Sequence, residues 1–177
     1  KLCNALQDMG TTFIKLGQFL ATRPDIIGED TAKELEKLQD KLPPFLLEEA
    51  KNILRKELGK ENFDKIINFS DSIAAASIAQ VHFATINDSD KKEKKEVAIK
   101  ILRPNIEKIF NEEIDALMLL AFLIEGTIKK TKRLKLVEVV FLLKEITILE
   151  LDLRFEGSAA NEFLENTKND AGFNVPK

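Results

Sequence analysis

The sequence predicts an α+β fold, in which helices precede a small antiparallel sheet and more helices follow it. Apolar residues recur at helical spacing over residues 2–21 and again over 45–58. Two runs rich in β-branched residues, 77–86 and 96–102, flank a polar, charged stretch, which is typical of a hairpin. Helical spacing returns after residue 104. These observations together favour helices and a sheet that are segregated along the chain.

The bulk composition narrows the class of protein. The chain has 177 residues, 44% of them hydrophobic, and a net charge of −3. This length predicts one domain, or one domain with an appendage, and the charge gives no reason to expect a nucleic acid partner. Cys3 is the only cysteine, so no disulfide can form within the chain, which favours a reducing compartment. The most apolar run, 114–124, is too short to span a bilayer.

Residues 1–65 are predicted to form a helical extension. Gly10 separates two helical pieces, and Arg23-Pro24-Asp25 ends the second one. A short helix over about 29–38 follows, then a Pro-Pro break. A third helix over 45–58 is expected to end at Gly59, because glycine commonly terminates helices.

One polar pair stands out in the second helical piece. Lys15 and Gln18 are three residues apart and therefore share a helix face. Gly17 lies between them, at some cost in helix stability, and permits the close approach of another backbone or a ligand. A solvated face of an amphipathic helix is the alternative, and spacing alone favours it.

Residues 66–177 open with a strand over 66–69 and then a run of small residues. Counting back from Val81, Ala74, Ala76 and Ala79 occupy the spacing of the glycines in the kinase motif G-x-G-x-x-G-x-V, and 97–100 read V-A-I-K. Alanine keeps an amide that can point at a phosphate, but its Cβ makes positive φ costly and blocks the closest approach of a ligand. We therefore expect a stiffer nucleotide loop. For four small residues alone, a helix start or a close-packed turn is the commoner structure.

The C-terminal part is predicted to be helical. Asn105 can cap a long helix that reaches about residue 130, where a basic cluster fits the helix end, with a membrane-surface role as the alternative. Residues 134–166 continue in helical spacing, and Gly157 marks a close contact or a kink. Asp152 and Glu156 are four apart, so one helix face can present both acids. A solvated face is again the alternative.

Four features together resemble the UbiB family of atypical kinase-like proteins, which is tied to ubiquinone biosynthesis. They are Lys-x-Gly-Gln at 15–18, the alanine stretch with Gln80-Val81-His82, Val-Ala-Ile-Lys at 97–100 and Glu-x-Asp at 150–152. The flanks also match, at Thr-Arg-Pro-Asp 22–25, Leu-Gln-Asp 38–40 and Arg-Pro 103–104. The resemblance covers nearly the whole chain, and its Leu-Asp-Leu-Arg section looks most like bacterial members.

The resemblance implies a protein-kinase-like N-lobe, over 66–177, that carries the helical extension. It implies that Mg–ATP or ADP is bound by Ala74, Ala75, Ala76, Ser77, Ile78, Ala79, Gln80, Val81 and Lys100. Lys100 would pair with Glu156. Lys15 and Gln18 would lie over the nucleotide site as a regulatory element, and Glu150 and Asp152 would meet Lys15. Family members often carry Asn shortly after the glutamate, where this chain has Ala159, so Asn161 is given no role.

Phosphoryl transfer also needs an acid or Asn from a catalytic loop and a metal-binding Asp. The single histidine, His82, belongs to the alanine stretch, and residues 170–173 do not form the Asp-Phe-Gly motif. We therefore expect the catalytic C-lobe and the Mg²⁺ ligands to lie outside this chain, as in an expression fragment or a broken reading frame. One Cys and one His make no usual zinc set.

The parent protein is thus expected to be an atypical kinase or ATPase that supports ubiquinone biosynthesis. Expected partners are the nucleotide and, beyond it, ubiquinone-biosynthesis enzymes or lipid precursors. The expected location is cytoplasmic, peripheral to or anchored in the inner membrane through parts outside this chain. The alternative is a non-catalytic interaction module, or a remnant of a split gene, that binds partner enzymes through its helices. A large exposed apolar patch would favour this alternative.

Overall fold

The computed structural model describes residues 1–38, 42–88, 93–170 and 172–175. Its contacts divide the chain into two compact units, Lys1–Glu113 and Ile114–Lys177. Helices and one small antiparallel sheet make up the described secondary structure, which confirms the predicted α+β class. The functional boundary between residues 65 and 66 lies inside the first unit and stays a prediction. Gln39 and Asp40 of the flanking motif, the hairpin tip at 89–92 and Ala171 lie outside the described residues.

Short helices open the first unit: α1 Leu2–Met9, α2 Thr11–Ala21, α3 Pro24–Ile27 and α4 Glu29–Leu35. Gly10 separates α1 from α2 at a φ of 107°, a conformation that favours glycine. The longer α5, Leu47–Phe63, is interrupted at Gly59, which has non-helical angles (φ 73°, ψ 163°). Both glycines therefore interrupt helices where the sequence predicts it.

Gly17 lets three helices approach one another. A Cβ at this position would lie 2.6 Å from a methyl carbon of Leu38 and 2.9 Å from one of Leu6. Leu38 and Leu35 are buried, so the side chain of Leu38 has little room to move away. The close contacts at Gly17 are thus made by leucine side chains of the extension, and not by the other backbone or the ligand that the sequence predicts.

The sheet is built around one long central strand. Its strands are β1 Ile66–Ile67, β2 Ser72–Ala75, β3 Ala79–Asp88 and β4 Glu93–Leu102. β4 pairs along the whole of β3, so β1 and β2 share the other edge of β3. Pairing continues to Asp88 opposite Glu93, and the predicted hairpin tip from Asn87 to Glu96 is therefore too long. Main-chain pairing tolerates polar side chains on exposed positions, which is why the charged run still forms strand.

One face of the sheet packs against α5 and buries the core of this unit. Ala50 and Leu54 of α5 and Ile101 of β4 form the buried centre. Partly buried side chains surround them: Phe45, Ile53, Phe63, Ile66, Phe69 and Ile99. The opposite face of the sheet is open, with Phe83 58% exposed. This second face is therefore exposed around Phe83 and Lys100, whereas Ala79, at the turn end of the same face, is buried.

The C-terminal elements are α6 Ile106–Thr127, a 3-10 helix Lys129–Leu134, α7 Leu136–Leu151 and α8 Leu153–Thr167. The helical structure predicted over 134–166 is confirmed, but it consists of two helices, because Asp152 has extended angles (φ −97°, ψ 92°) and separates α7 from α8. A Cβ added at Gly157, inside α8, would meet no described atom within 4 Å, so the close contact predicted there is also wrong. Within the described ranges, no helix combines the length and the apolar character needed to cross a membrane.

We predict that Gly17→Ala lowers the free energy of unfolding by about 1 kcal/mol. Overpacking costs roughly 1–3 kcal/mol, and the better helix propensity of alanine recovers only part of it. Gly157→Ala is the matched control, because it gains the propensity of about 0.5–1 kcal/mol without a clash. Urea unfolding followed by circular dichroism compares the two. If Gly17→Ala stabilises the protein as much as the control does, the packing role is wrong.

Candidate functional site

The alanine stretch forms the end of β2, a tight turn and the start of β3. The amide of Ala76 donates to the carbonyl of Ala79 at 2.8 Å and closes the turn. Positive φ among the described non-glycine residues occurs at Asn68, Asn105 and Lys135, none of them in this stretch. The turn therefore uses conformations that alanine adopts without strain. Because the Ala76 amide already donates within the turn, it does not point at a phosphate in this conformation.

Ala74, Val81 and Lys100 form a row across three strands. Ala74 pairs with Val81, and Val81 pairs with Lys100. A register shift between Ser72 and Ala74 makes this row possible by placing one extra residue in β2. Residues opposite one another in a sheet share a face. Lys100 thus lies on the same open face as the small side chains of the row.

The predicted nucleotide-binding residues divide by burial. Ala74 is exposed, Ala75, Ala76 and Val81 are half-buried, and Lys100 is exposed along with its neighbour Ala98. The other four are buried: Ser77, Ile78, Ala79 and Gln80. Of the first group, Ala74, Val81 and Lys100 lie on the open face, where their side chains can contact a ligand, whereas Ala75 pairs with Gln80 and shares the core face. A role for the buried group would go through the backbone.

Gln80 serves the core side of the sheet. Its side-chain oxygen accepts from the amide of Phe45 at 2.9 Å, and its nitrogen donates to the carbonyl of Phe45 at 3.3 Å. The same nitrogen lies 2.9 Å from Nε2 of His82. Both Gln80 and His82 are 1% exposed. The side chain of Gln80 therefore binds the segment before α5 to the sheet, and the predicted contact of Gln80 with a nucleotide stays a prediction.

His82 completes this buried chain of hydrogen bonds. Its Nδ1 lies 2.9 Å from the carbonyl of Ser70, which can only accept, so Nδ1 carries the proton. The neutral ring then accepts the Gln80 amide at Nε2. Phe69 stacks on the imidazole with ring centroids 4.5 Å apart. His82 is thus a satisfied core residue, in line with its absence from any catalytic loop.

Arg103 and Thr11 hold the alanine turn from outside. The guanidinium of Arg103 donates to the carbonyl of Ala76 at 2.8 and 3.0 Å. The hydroxyl of Thr11 donates to the carbonyl of Ser77 at 2.9 Å. In the sequence, Arg103 stands out only as part of a flanking Arg-Pro. A cation directly after the lysine strand was the available signal.

The contact at Thr11 also orients the polar pair of α2. Thr11, Lys15 and Gln18 occupy positions i, i+4 and i+7, which lie on one helix face. That face begins at the alanine turn, and both Lys15 and Gln18 are half-buried. The predicted placement of these two residues over a nucleotide stays a prediction, and this contact supports it.

The three acids of the C-terminal part do not share one helix. Glu150 lies in α7 and Glu156 in α8, while Asp152 is the N-cap between them. The carboxylate of Asp152 accepts from the Arg154 amide and from its guanidinium at 2.8 and 2.6 Å. The prediction that one helix face presents both Asp152 and Glu156 is thus wrong. The pairings of Glu156 with Lys100, and of Glu150 and Asp152 with Lys15, stay predictions.

Arg154 changes the titration of Asp152. Its side-chain hydrogen bonds hold the pKa of the Asp152 carboxyl below the ordinary value, because they favour the ionised form. Arg23 and Asp25 form a similar pair at 2.8 and 2.7 Å and lower the pKa of Asp25 in the same way. No group of three or more potential metal ligands occurs among the described residues.

Comparisons with known proteins agree on one family. The family described as ABC1 atypical kinase-like domain matches residues 37–177. The chain is 39% identical over 173 residues to the "Probable protein kinase UbiB" of Marinobacter nauticus. It is 38% identical over 174 residues to that of Pseudomonas paraeruginosa and 35% over 178 to that of Cellvibrio japonicus. These matches cover 97%, 98% and 100% of this chain but 31%, 32% and 31% of the relatives. The chain thus spans about a third of the length of these curated relatives.

We predict that Gln80→Met lowers the free energy of unfolding by about 2–4 kcal/mol, because it leaves partly buried main-chain groups of Phe45 and the buried ring of His82 without a partner. Methionine has a similar shape, so the volume of the core changes little. Gln7→Met on α1 is the control, with an expected change within about 0.5 kcal/mol. Equal effects of the two substitutions in urea unfolding would contradict a stabilising role for this network.

We predict that Arg154→Ala raises the pKa of Asp152 towards its ordinary value. Because the pairing lowers this pKa in the folded protein, its contribution to stability is present above the ordinary pKa and is lost as the pH falls through the folded one. A carbon-detected NMR titration of the carboxyl groups measures the shift. The pKa of Asp25, which pairs with Arg23, should stay where it is in the same spectra. An unchanged Asp152 pKa would show that the Arg154 pairing does not form in solution.

Proposed function

Because the chain belongs to the ABC1 atypical kinase-like family, we propose that it is the nucleotide-binding part of an atypical kinase or ATPase. Its ligand is Mg–ATP or ADP, bound on the open face of the sheet. The observation that carries this proposal is the row in which Ala74, Val81 and Lys100 lie side by side. In this proposal, the catalytic-loop and metal-binding residues come from a part of the protein that this chain does not span.

The row offers the two surfaces that a nucleotide requires. Ala74, Val81 and Ala98 present small apolar groups on which a planar base can pack. Lys100 presents a positive charge on the same face, and ammonium groups are common ligands of nucleotide phosphates. Burial on α5 keeps the other face closed, so a nucleotide has one side of the sheet on which to bind.

The helical extension is proposed to regulate access to this site. Thr11 attaches α2 to the alanine turn, and Lys15 and Gln18 continue the same face. A helix in that position occupies space that a peptide substrate would need, which favours another acceptor or water. In this proposal Glu156 pairs with Lys100, and Glu150 and Asp152 serve Lys15. Asp152 would have to exchange its present partner Arg154 to do so.

The wider role is proposed from the family resemblance. The full protein would support ubiquinone biosynthesis, with the enzymes of that process or its lipid precursors as partners. It would be cytoplasmic and held at the inner membrane by parts outside this chain. No contact in the described residues identifies any of these partners.

The alternative proposal is a non-catalytic interaction module. It is favoured by large apolar side chains that are exposed on α6, α7 and α8. The most exposed are Leu119, Leu120, Phe122, Leu123, Phe141, Leu149 and Phe155. Exposed apolar patches of this kind mark interaction surfaces or places covered by other protein segments. Binding without nucleotide turnover is what this alternative expects.

We predict that Lys100→Ala weakens the binding of Mg–ADP by about tenfold or more, because a charge-assisted contact with phosphate is lost. Lys94→Ala is the matched control. It removes a lysine from the same strand and the same face, about 20 Å further along. Isothermal titration calorimetry on the purified chain measures both dissociation constants.

The titration tests the role of Lys100, and together with an assay of ATP turnover it decides between the two proposals. A Lys100→Ala variant that binds Mg–ADP as tightly as the wild type removes Lys100 from the site. A wild-type chain that binds no Mg–ADP or Mg–ATP favours the interaction module instead. Measurable ATP turnover by the chain would exclude the non-catalytic alternative.

A further inference from the structure

We propose that Arg103 is the positioning residue of the alanine turn, and that it fixes the turn by attaching it to the linker of the helical extension. The linker is the extended segment 42–46 that precedes α5. This inference rests on the nucleotide site proposed above. It assigns the shape of the turn to a contact outside the alanine motif itself.

Arg103 contacts the turn through both its backbone and its side chain. Its amide donates to the carbonyl of Ile78 at 2.9 Å. Its Nε and Nη2 donate to the carbonyl of Ala76 at 3.0 and 2.8 Å. Nη2 also donates to the carbonyl of Pro43 at 3.0 Å. One half-buried residue thus joins the end of the lysine strand, the turn and the linker.

The geometry requires an arginine. Two nitrogens of one planar group meet the same carbonyl, and one of them also reaches the linker. A guanidinium holds its donors in a fixed fork, whereas a lysine has a single flexible ammonium. The ring of Phe45 lies 6.0 Å from the guanidinium carbon and adds a weak cation–π contact. Lysine at this position can keep the charge but not the pattern of contacts.

The linker is a rigid anchor for the turn. Pro43 and Pro44 restrict the backbone, and their carbonyls remain able to accept. The next residue, Phe45, is bound at both its amide and its carbonyl by buried Gln80. Arg103 therefore links the Ala76 carbonyl of the turn to a segment that is itself bound to the core of the unit. Thr11 provides a second, independent attachment at Ser77.

In this proposal, Arg103 keeps the turn ordered before a nucleotide binds. A turn that is already fixed loses little conformational entropy when a ligand binds, which favours affinity. Without Arg103, the carbonyl of Ala76 loses both side-chain donors and the turn must be ordered at the moment of binding. Removing the guanidinium should therefore loosen the turn first and weaken nucleotide binding as a result.

Hydrogen exchange on the nucleotide-free chain tests the attachment. We compare Arg103→Ala and Arg103→Lys with Arg55→Ala, which removes an arginine that stacks 4.6 Å above Phe63 away from the turn. In both Arg103 variants the amides of residues 74–79 should exchange about tenfold faster or more, since the turn opens more often. Exchange at the β3–β4 pairs around Thr85 and Glu96, away from the turn and from α5, serves as the internal reference for global stability. Unchanged exchange at 74–79 in Arg103→Lys, which retains the charge, would overturn the proposal.

Calorimetry with Mg–ADP tests the consequence for the site. Arg103→Lys should raise the dissociation constant about fivefold while Arg55→Ala leaves it unchanged. A dissociation constant that is unchanged or smaller would overturn the positioning role, even where exchange has become faster. A wild-type chain that does not bind Mg–ADP would remove the proposed function. In that case the exchange experiment alone decides whether Arg103 fixes the turn.

Discussion

The first unit depends on hydrogen bonds that side chains make to the linker before α5, whose main chain has no strand partner. The amide and carbonyl of Phe45 are partly buried and need such partners, whereas the contact at the Pro43 carbonyl is exposed. Here the side chain of Gln80 binds both groups of Phe45, and Arg103 binds the carbonyl of Pro43. Gln80 belongs to β3, which begins at the alanine turn, and Arg103 directly follows β4. The docking of the extension and the shape of the turn therefore share the same contacts.

The two faces of the sheet have different roles: one packs in the core, and the other carries the proposed binding residues. Even-numbered positions of β3, such as Gln80 and His82, face the core, and their polar groups are satisfied there. Odd-numbered positions such as Val81 face outward, next to Lys100. Because side chains alternate along a strand, neighbouring residues of one motif take opposite roles. A linear motif thus overstates the number of side chains that a ligand can meet.

The helix and strand pattern could be predicted well from spacing, since Gly10, Gly59 and the alternating runs carry local signals. Two features could not. The long hairpin pairing includes charged residues because main-chain pairing does not depend on apolar side chains. The break at Asp152 lies within an unbroken helical pattern, and its only signal is that Asp is a good N-cap. The contacts of Gln80 and Arg103 join residues 35 to 60 positions apart, which local patterns do not encode.

The break at Asp152 matters for how the acids can act. If Glu150, Asp152 and Glu156 lay on one continuous helix, a contact made by one would fix the positions of all. With α7 and α8 as separate helices, Glu150 and Glu156 belong to different rigid elements, and Asp152 caps the second. The cap makes the start of α8, and thereby the position of Glu156, depend on the pairing of Asp152 with Arg154. A substitution of Arg154 would therefore disturb the start of the helix that carries Glu156, because the Asp152 cap would lose its pairing. The position of Glu156 thus depends on a local cap and not on the helix that carries Glu150.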